Sequence, residues 1–350
     1  MRNRVSKSIY ILCILLMTAL RVSARSEAQQ MFLDEAVHDL EWSPDGSLLA
    51  VAVDSGVRIY DGEMQPLAHL QANLGAVSQI SWQPQQGSQI AVIGFNGVSV
   101  EIWDRDTTTE TFSLSLSFVL ETEYISAIAW SPDGEKLAIL VNDFEFGNPD
   151  PLGYIEIWNA STWTLGTTIS HRLRYAPPML VWDPTSTMIA SGSSACYDPD
   201  QCSAGPTLET FDIVSGERAQ NTNLGAYPPQ SLVWAPGADI AVSTFNVEVY
   251  AASGERLYQS EPYNGLRVQL DWSGDGSLLA ALDAYGHLAI INPFTAEVLT
   301  NSTAIRDVVA IDWNGTTNAL AIGSANGVIE MMEMSIILES TSTMTSLNER

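Results

Sequence analysis

The side chains best suited to proton transfer or metal binding are four histidines, His38, His69, His171 and His287. None stands in an H-E-x-x-H arrangement or another ligand spacing. His38, His69 and His287 fall in or beside alternating apolar runs, where a hydrogen-bonded structural histidine is the expectation. No G-x-S-x-G elbow offers a nucleophile. The Gly-x-Gly at Gly274-Asp275-Gly276 has the place of a hairpin turn, so it reads as a turn and not a phosphate cradle. Asp45, Asp133 and Asp275 recur in equivalent turns, and that repetition points to backbone geometry rather than acid–base pairs. Four further charges, Asp39, Glu41, Asp271 and Asp312, lie inside apolar runs. They would matter to an enzyme only if they converged.

Two acid-rich stretches could attract calcium: Asp143, Glu145 and Asp150 in one, Asp198 and Asp200 in the other. Neither has the ligand spacing of an EF-hand, so solvated acidic loops are the simpler reading and no cofactor is expected. Acid dominates the whole chain. It has 41 acidic and 15 basic residues, a formal net charge of -26. Nucleic-acid binding needs a Lys/Arg stripe, which this balance argues against. With 46% hydrophobic and 16% charged residues in 350, the composition is that of a folded chain.

The elements that must position these residues begin after residue 30. Arg2, Arg4 and Lys7 precede an apolar stretch from Ile9 to Leu20, and small residues follow at Val22-Ser23-Ala24 and Ser26-Glu27-Ala28. Those are the parts of a secretory leader, with cleavage after Ala24 or as late as Ala28. A spanning helix needs about 20 apolar residues, so an uncleaved anchor is the minority reading. Cleavage after Ala24 leaves 11 basic residues and a single lysine, Lys136. Export also bears on Cys196 and Cys202. A disulfide, a metal pair or two free thiols are open to them, and an oxidising compartment favours the disulfide. Asn159, Asn301 and Asn314 begin N-x-S/T sequons, relevant only to a eukaryotic secretory route.

Tryptophan sets a period. Trp42, Trp82, Trp130, Trp182, Trp234, Trp272 and Trp313 each end a short alternating run, at intervals of 38 to 52 residues. A turn follows each one, SPDG in two cases, then a second apolar strand rich in small residues (LLAVAV, KLAILV, LLAALD). Such a strand suits burial on both faces. A third strand (VRIYD, VEIWD, IEIWN) and a more polar fourth complete the unit. Four-stranded sheets stacked radially bury each other's faces. The expected fold is all-β: a single seven-bladed β-propeller of four-stranded antiparallel blades over 30–340, with a polar, mobile tail over 341–350. Two stacked sandwiches would not explain seven equivalent tryptophans.

WSPDGSLLA at Trp42 to Ala50 and WSPDGEKLA at Trp130 to Ala138, with IWD at Ile102 to Asp104 and IWN at Ile157 to Asn159, resemble WD40 repeats. The resemblance covers nearly all of the chain after the leader. It implies the propeller, and it departs from the family in lacking the Gly-His pair before the first strand. The family's His, Ser/Thr, Asp and Trp network is therefore expected to be missing, with apolar packing in its place. The last blade of this family is often closed by an N-terminal strand. Gln29 to Leu33 could supply it, but Ser335 to Glu339 is the slightly favoured candidate.

The family geometry places loops between second and third strands on one face with the blade-to-blade connections. Two of those loops are long, from Asn142 to Gly153 and from Ser194 to Pro206. The connection His171 to Pro178 opens between them and carries Arg172, Arg174 and Tyr175, while Tyr124 and Tyr227 fall on the same rim. Exposed Tyr and Arg are enriched in binding hot spots. Charge neutralisation and blade packing are the plainer roles for these side chains. The expectation is an exported, non-enzymatic protein-interaction scaffold that binds a protein partner over blades 3 and 4. The alternatives are a propeller enzyme, a channel that binds a small ligand or calcium, and carbohydrate binding by the rim tyrosines.

Overall fold

The structure is a computed structural model that describes residues 19–24, 28–85, 87–119, 124–142, 153–171, 179–193, 205–262 and 267–339. These residues form seven antiparallel sheets and no helix. Blade 1 runs Val37–Trp42, Leu48–Val53, Gly56–Asp61 and Pro66–Leu70, paired in that order. The same order repeats in blades 2 to 6. The inner strands of blades 2 to 7 are Val77–Trp82, Tyr124–Trp130, Leu180–Trp182, Ser231–Trp234, Gln269–Trp272 and Val308–Trp313. Each ends on one of the seven tryptophans, as the period requires.

Local chemistry fixes the hairpin after each tryptophan. In blade 1, Ser43 Oγ donates to Asp45 Oδ1 at 2.6 Å, and Ser47 N–H donates to the same oxygen at 3.0 Å. Leu48 N–H then donates to Ser43 Oγ at 2.9 Å. Gly46 closes the turn at a φ of 69°. Ser131, Asp133 and Lys136 repeat the set, as do Ser273, Asp275 and Leu278. The recurrent aspartates are thus turn formers.

The second strands carry the burial. Leu48–Val53 and Ala319–Ser324 are buried at every position, because both faces of their sheets are covered by neighbouring blades. The tryptophans knit those blades together. Trp82, Trp182 and Trp272 donate their indole N–H to the backbone carbonyls of Glu41, Ala129 and Val233, in each case on the preceding blade's inner strand.

Two expectations are corrected. First, the last blade takes its outer strand from the N-terminal side. Gln29–Phe32 pairs antiparallel with Val328–Met331. Ser335 to Glu339 cannot fold back, because no turn separates it from the third strand, which runs unbroken as Val328–Glu339. Its distal part pairs instead with Ala19–Ala24, inside the segment read as the end of a leader.

Second, apolar packing alone does not fill the blades. The third strands bury glutamates: Glu101, Glu156, Glu209, Glu248 and Glu330. Each has a donor. Glu101 and Glu156 accept the indole N–H of Trp103 and Trp158, two residues on, at 3.1 and 2.8 Å. Glu248 accepts Tyr250 Oη–H and Arg256, Glu209 accepts Arg218, and Glu330 accepts the Ile305 N–H. A buried carboxylate is tolerable only with such partners.

Candidate interaction face and channel

In an antiparallel blade the start of the inner strand, the second-to-third turn and the end of the outer strand lie together. The register shows this in blade 1, where Val37 faces Val53, Val53 faces Gly56, and Val57 faces Leu70. The described second-to-third turns and blade-to-blade connections therefore share one face. The strand ends that flank the two insertions lie on it: Asn142 pairs with Gly153, and Ser193 with Thr207.

Five aromatic side chains stand on this face. Phe95 is 53% exposed, Tyr124 36%, Tyr227 52%, Phe245 43% and Tyr285 57%, values that put much of each ring in solvent. Tyr227, in the connection between blades 4 and 5, stacks on Phe245 of the blade 5 turn, with centroids 4.8 Å apart and planes at 20°. Phe95 meets the His38 ring edge-on at 4.8 Å. Tyr124 opens the blade 3 inner strand and lies over Gly97, where a Cβ would come 2.2 Å from its ring. Gly97 also holds a φ of 64°, so the close approach and the turn both need glycine. The tips are backed by hydrogen bonds: Phe95 N–H to Ala76 O, Tyr285 N–H to Asp283 Oδ1, and Thr244 N–H to Asn246 O.

Of the expected partner-binding residues, the structure places Tyr124 and Tyr227 on this face. Arg172, Arg174 and Tyr175 lie outside the described residues, as do Cys196, Cys202 and the acidic positions of both insertions. Sequence reasoning missed Phe95, Phe245 and Tyr285. Their signal was present in GFNG, TFN and DAYG, where a bulky ring sits inside a turn too tight to bury it. Three of the four histidines are hydrogen-bonded. His38 Nε2 lies 2.8 Å from Asp54, His69 Nε2 3.1 Å from Ser55 Oγ, and His287 Nδ1 2.9 Å from Asp283. Asn314 is buried and its amide donates to Gly46 O, so this sequon is closed in the folded chain.

The second feature is the channel wall. An inner strand is a sheet edge, and its outward N–H groups need acceptors. Adjacent blades provide them. Asp271 Oδ2 accepts Trp313 N–H at 2.5 Å, Asp312 Oδ2 accepts Trp42 N–H at 2.6 Å, and Glu41 Oε2 accepts Trp82 N–H at 3.1 Å. Asp39 accepts the Ile80 N–H at 3.0 Å. Between blades 2 and 3 neutral groups do the same, with Gln79 accepting from Ile128 and Ser81 from Trp130. Solvent still reaches part of the four carboxyl side chains, yet the packed walls withhold most of their hydration. That desolvation raises Asp39 and Asp312 to about 7, and raises Glu41 and Asp271 well above the ordinary carboxylate range. Mutual repulsion adds to it, Asp312 acting on Glu41, Asp39 and Asp271. The wall can therefore take up and release protons near neutrality. Among the described residues, no three His, Cys, Asp or Glu side chains are set to hold a metal ion. No helix among them is long and apolar enough to cross a membrane.

Seven blades with a loop-bearing face define a propeller with a surface for macromolecular contact. Comparison with known proteins agrees on the class. Residues 6–144 match the family Eukaryotic translation initiation factor eIF2A, and residues 232–316 match the Anaphase-promoting complex subunit 4 WD40 domain. The chain is similar to Protein HIR1 of Yarrowia lipolytica, 27% identical over 269 residues, 74% of this chain and 24% of that protein. WD repeat-containing protein slp1 of Schizosaccharomyces pombe is 25% identical over 273 residues, 74% of this chain and 49% of its own length. Protein HIR1 of Cryptococcus neoformans is 33% identical over 106 residues, 29% of this chain and 12% of that protein. The matched stretches thus span between 12% and 49% of these relatives. With the seven-bladed fold, these matches support the WD-repeat family for this chain.

Proposed function

We propose that the protein is an exported, non-enzymatic scaffold that holds a protein partner on its loop face. The observation that carries this reading is the exposed Tyr227–Phe245 stack, with Tyr285 exposed in the corresponding turn of blade 6. Rigid aromatics give large contact area at small entropic cost, and loops on a fixed scaffold are where binding residues concentrate. Arg172, Arg174 and Tyr175, in the sequence that joins blades 3 and 4, are proposed as further contacts to the partner. Similarity to a family of interaction propellers supports the scaffold class, and the basic-then-apolar start of the chain supports export.

The test is affinity capture with three variants beside the native protein. Tyr227→Ala/Phe245→Ala removes the stack, and Arg172→Ala/Arg174→Ala/Tyr175→Ala removes the connection. Phe294→Ala alters an exposed ring in a third-to-fourth turn on the opposite face. A partner kept by Phe294→Ala and lost from the other two locates the face. A partner kept by all three sinks the assignment. A channel-ligand or enzyme reading has the four converging carboxylates in its favour, but backbone N–H groups of neighbouring strands already occupy them.

A further inference from the structure

The W−1 positions of three consecutive blades, Asp271, Asp312 and Glu41, make the same bond to the next blade's tryptophan N–H. Asp39 adds a second such bond between blades 1 and 2. At the other seams this position is Ser81, Ala129, Val181 or Val233. Charge is thus confined to the arc where the chain's two ends meet and the ring closes.

Among the described residues, the inner strands of this arc carry no lysine or arginine to offset it. The inner strands of this arc add only neutral Gln79, Ser81 and Gln269 to the wall, and His38 is turned to Asp54. The second strands behind, Leu48–Val53, Gln89–Gly94, Leu279–Leu282 and Ala319–Ser324, have no ionisable side chain. Across the channel, the described inner strands of blades 3 to 5 bring only the Tyr124 phenol.

We propose that these carboxyl groups make the arc from blade 6 to blade 2 a proton-operated latch, closed when they are protonated and loosened when they ionise. A protonated carboxyl still accepts the backbone N–H through its carbonyl oxygen, so closure keeps every bond while repulsion disappears. Ionisation retains the bonds but sets four like charges along one desolvated wall. Opening hydrates them and releases repulsion. A seam that frees one proton on opening opens about tenfold more readily per pH unit over the titration range.

Hydrogen exchange on the purified protein at about pH 5 and about pH 8, corrected for intrinsic rates, reads this directly. Amides of Trp42, Trp82 and Trp313 lose at least about tenfold more protection at the higher pH than those of Ile128 and Trp130, which neutral Gln79 and Ser81 hold across the next seam. Asp271→Asn/Asp312→Asn keeps the acceptors and abolishes the difference at Trp313 and Trp42, and Glu41→Gln reduces it at Trp82. An equal change at all five amides would overturn the latch. So would an undiminished difference in a folded variant of either kind.

Discussion

Asp312 Oδ2 accepts a hydrogen bond of 2.6 Å from the backbone N–H of Trp42, 270 positions away in sequence. It joins the last inner strand to the first. Replacing Asp312 by alanine leaves that N–H facing a desolvated wall without an acceptor, at a cost of about 1–3 kcal/mol. Asparagine restores an acceptor without the charge. Chemical denaturation at neutral pH is expected to rank Asn at or above the native protein and Ala below both. Equal loss in Asn and Ala would show that the charge itself stabilises the seam.

Stability should pass through a maximum in mild acid. Desolvation raises the channel carboxyls in the folded state, to about 7 for Asp39 and Asp312. Their contribution is complete below their unfolded values near 4 and is lost as pH rises to about 7. The turn aspartates act oppositely. Burial pushes Asp45 up, but hydrogen bonds from Ser43 and Ser47 and the Arg105 charge outweigh it and hold Asp45 near 2. Asp275 is lowered chiefly by the Ser273 hydroxyl. Their contribution is lost as pH falls below about 4. Melting temperature should therefore climb from pH 8 to about pH 5, then drop. Each proton taken up on folding contributes about 1.4 kcal/mol per pH unit. A monotonic rise toward alkaline pH would contradict the channel assignment.

Trp182→Ala should cost about 3 kcal/mol or more, the range for a truncated buried aromatic. The indole is buried against blade 3 and donates to Ala129 O at 2.9 Å. Denaturant melts give the value, and a shift below about half a kilocalorie would mean this tryptophan is not part of the core.

Tyr227→Ala/Phe245→Ala should change stability by less than about 1 kcal/mol, because both rings already meet solvent. The same pair should remove partner capture. A large loss of stability with it would turn the stack into a packing feature of blades 4 and 5.

What the sequence made legible was whatever repeats locally. Seven tryptophans, the Ser-Pro-Asp-Gly turns and the small-residue second strands fixed blade number and register, since hairpins are set by neighbours in the chain. Relations across blades were not legible. Asp312 and Trp42 meet only once the ring is closed, so the raised carboxyls could not be read from Asp271-Trp272 or Asp312-Trp313 alone. The third-strand glutamates in VEIW and IEIW were visible, but their burial depends on Trp103 and Trp158 two positions on turning back as donors. Phe95, Phe245 and Tyr285 stand in tight turns legible from GFNG, TFN and DAYG, but their gathering on one face depends on how the blades are arranged.

The closing strand gives the last prediction. Gln29–Phe32 pairs four residues with Val328–Met331, and Met31 and Leu33 pack on the core between blades 7 and 1. A chain starting at Arg25 keeps all of this and loses only the Ala19–Ala24 pairing. A chain starting at Asp34 leaves Val328–Met331 as a bare edge and uncovers apolar surface of blade 7. Net hydrogen-bond contributions of about 1 kcal/mol each, with the apolar burial of Met31 and Leu33, put the loss at about 3 kcal/mol or more. The two truncations should therefore separate in a denaturant melt, the first close to the full chain and the second clearly below it. If the Arg25 start is the one that destabilises, the Ala19–Ala24 strand closes the ring. Removal of a leader after Ala24 would then weaken the fold instead of leaving it intact.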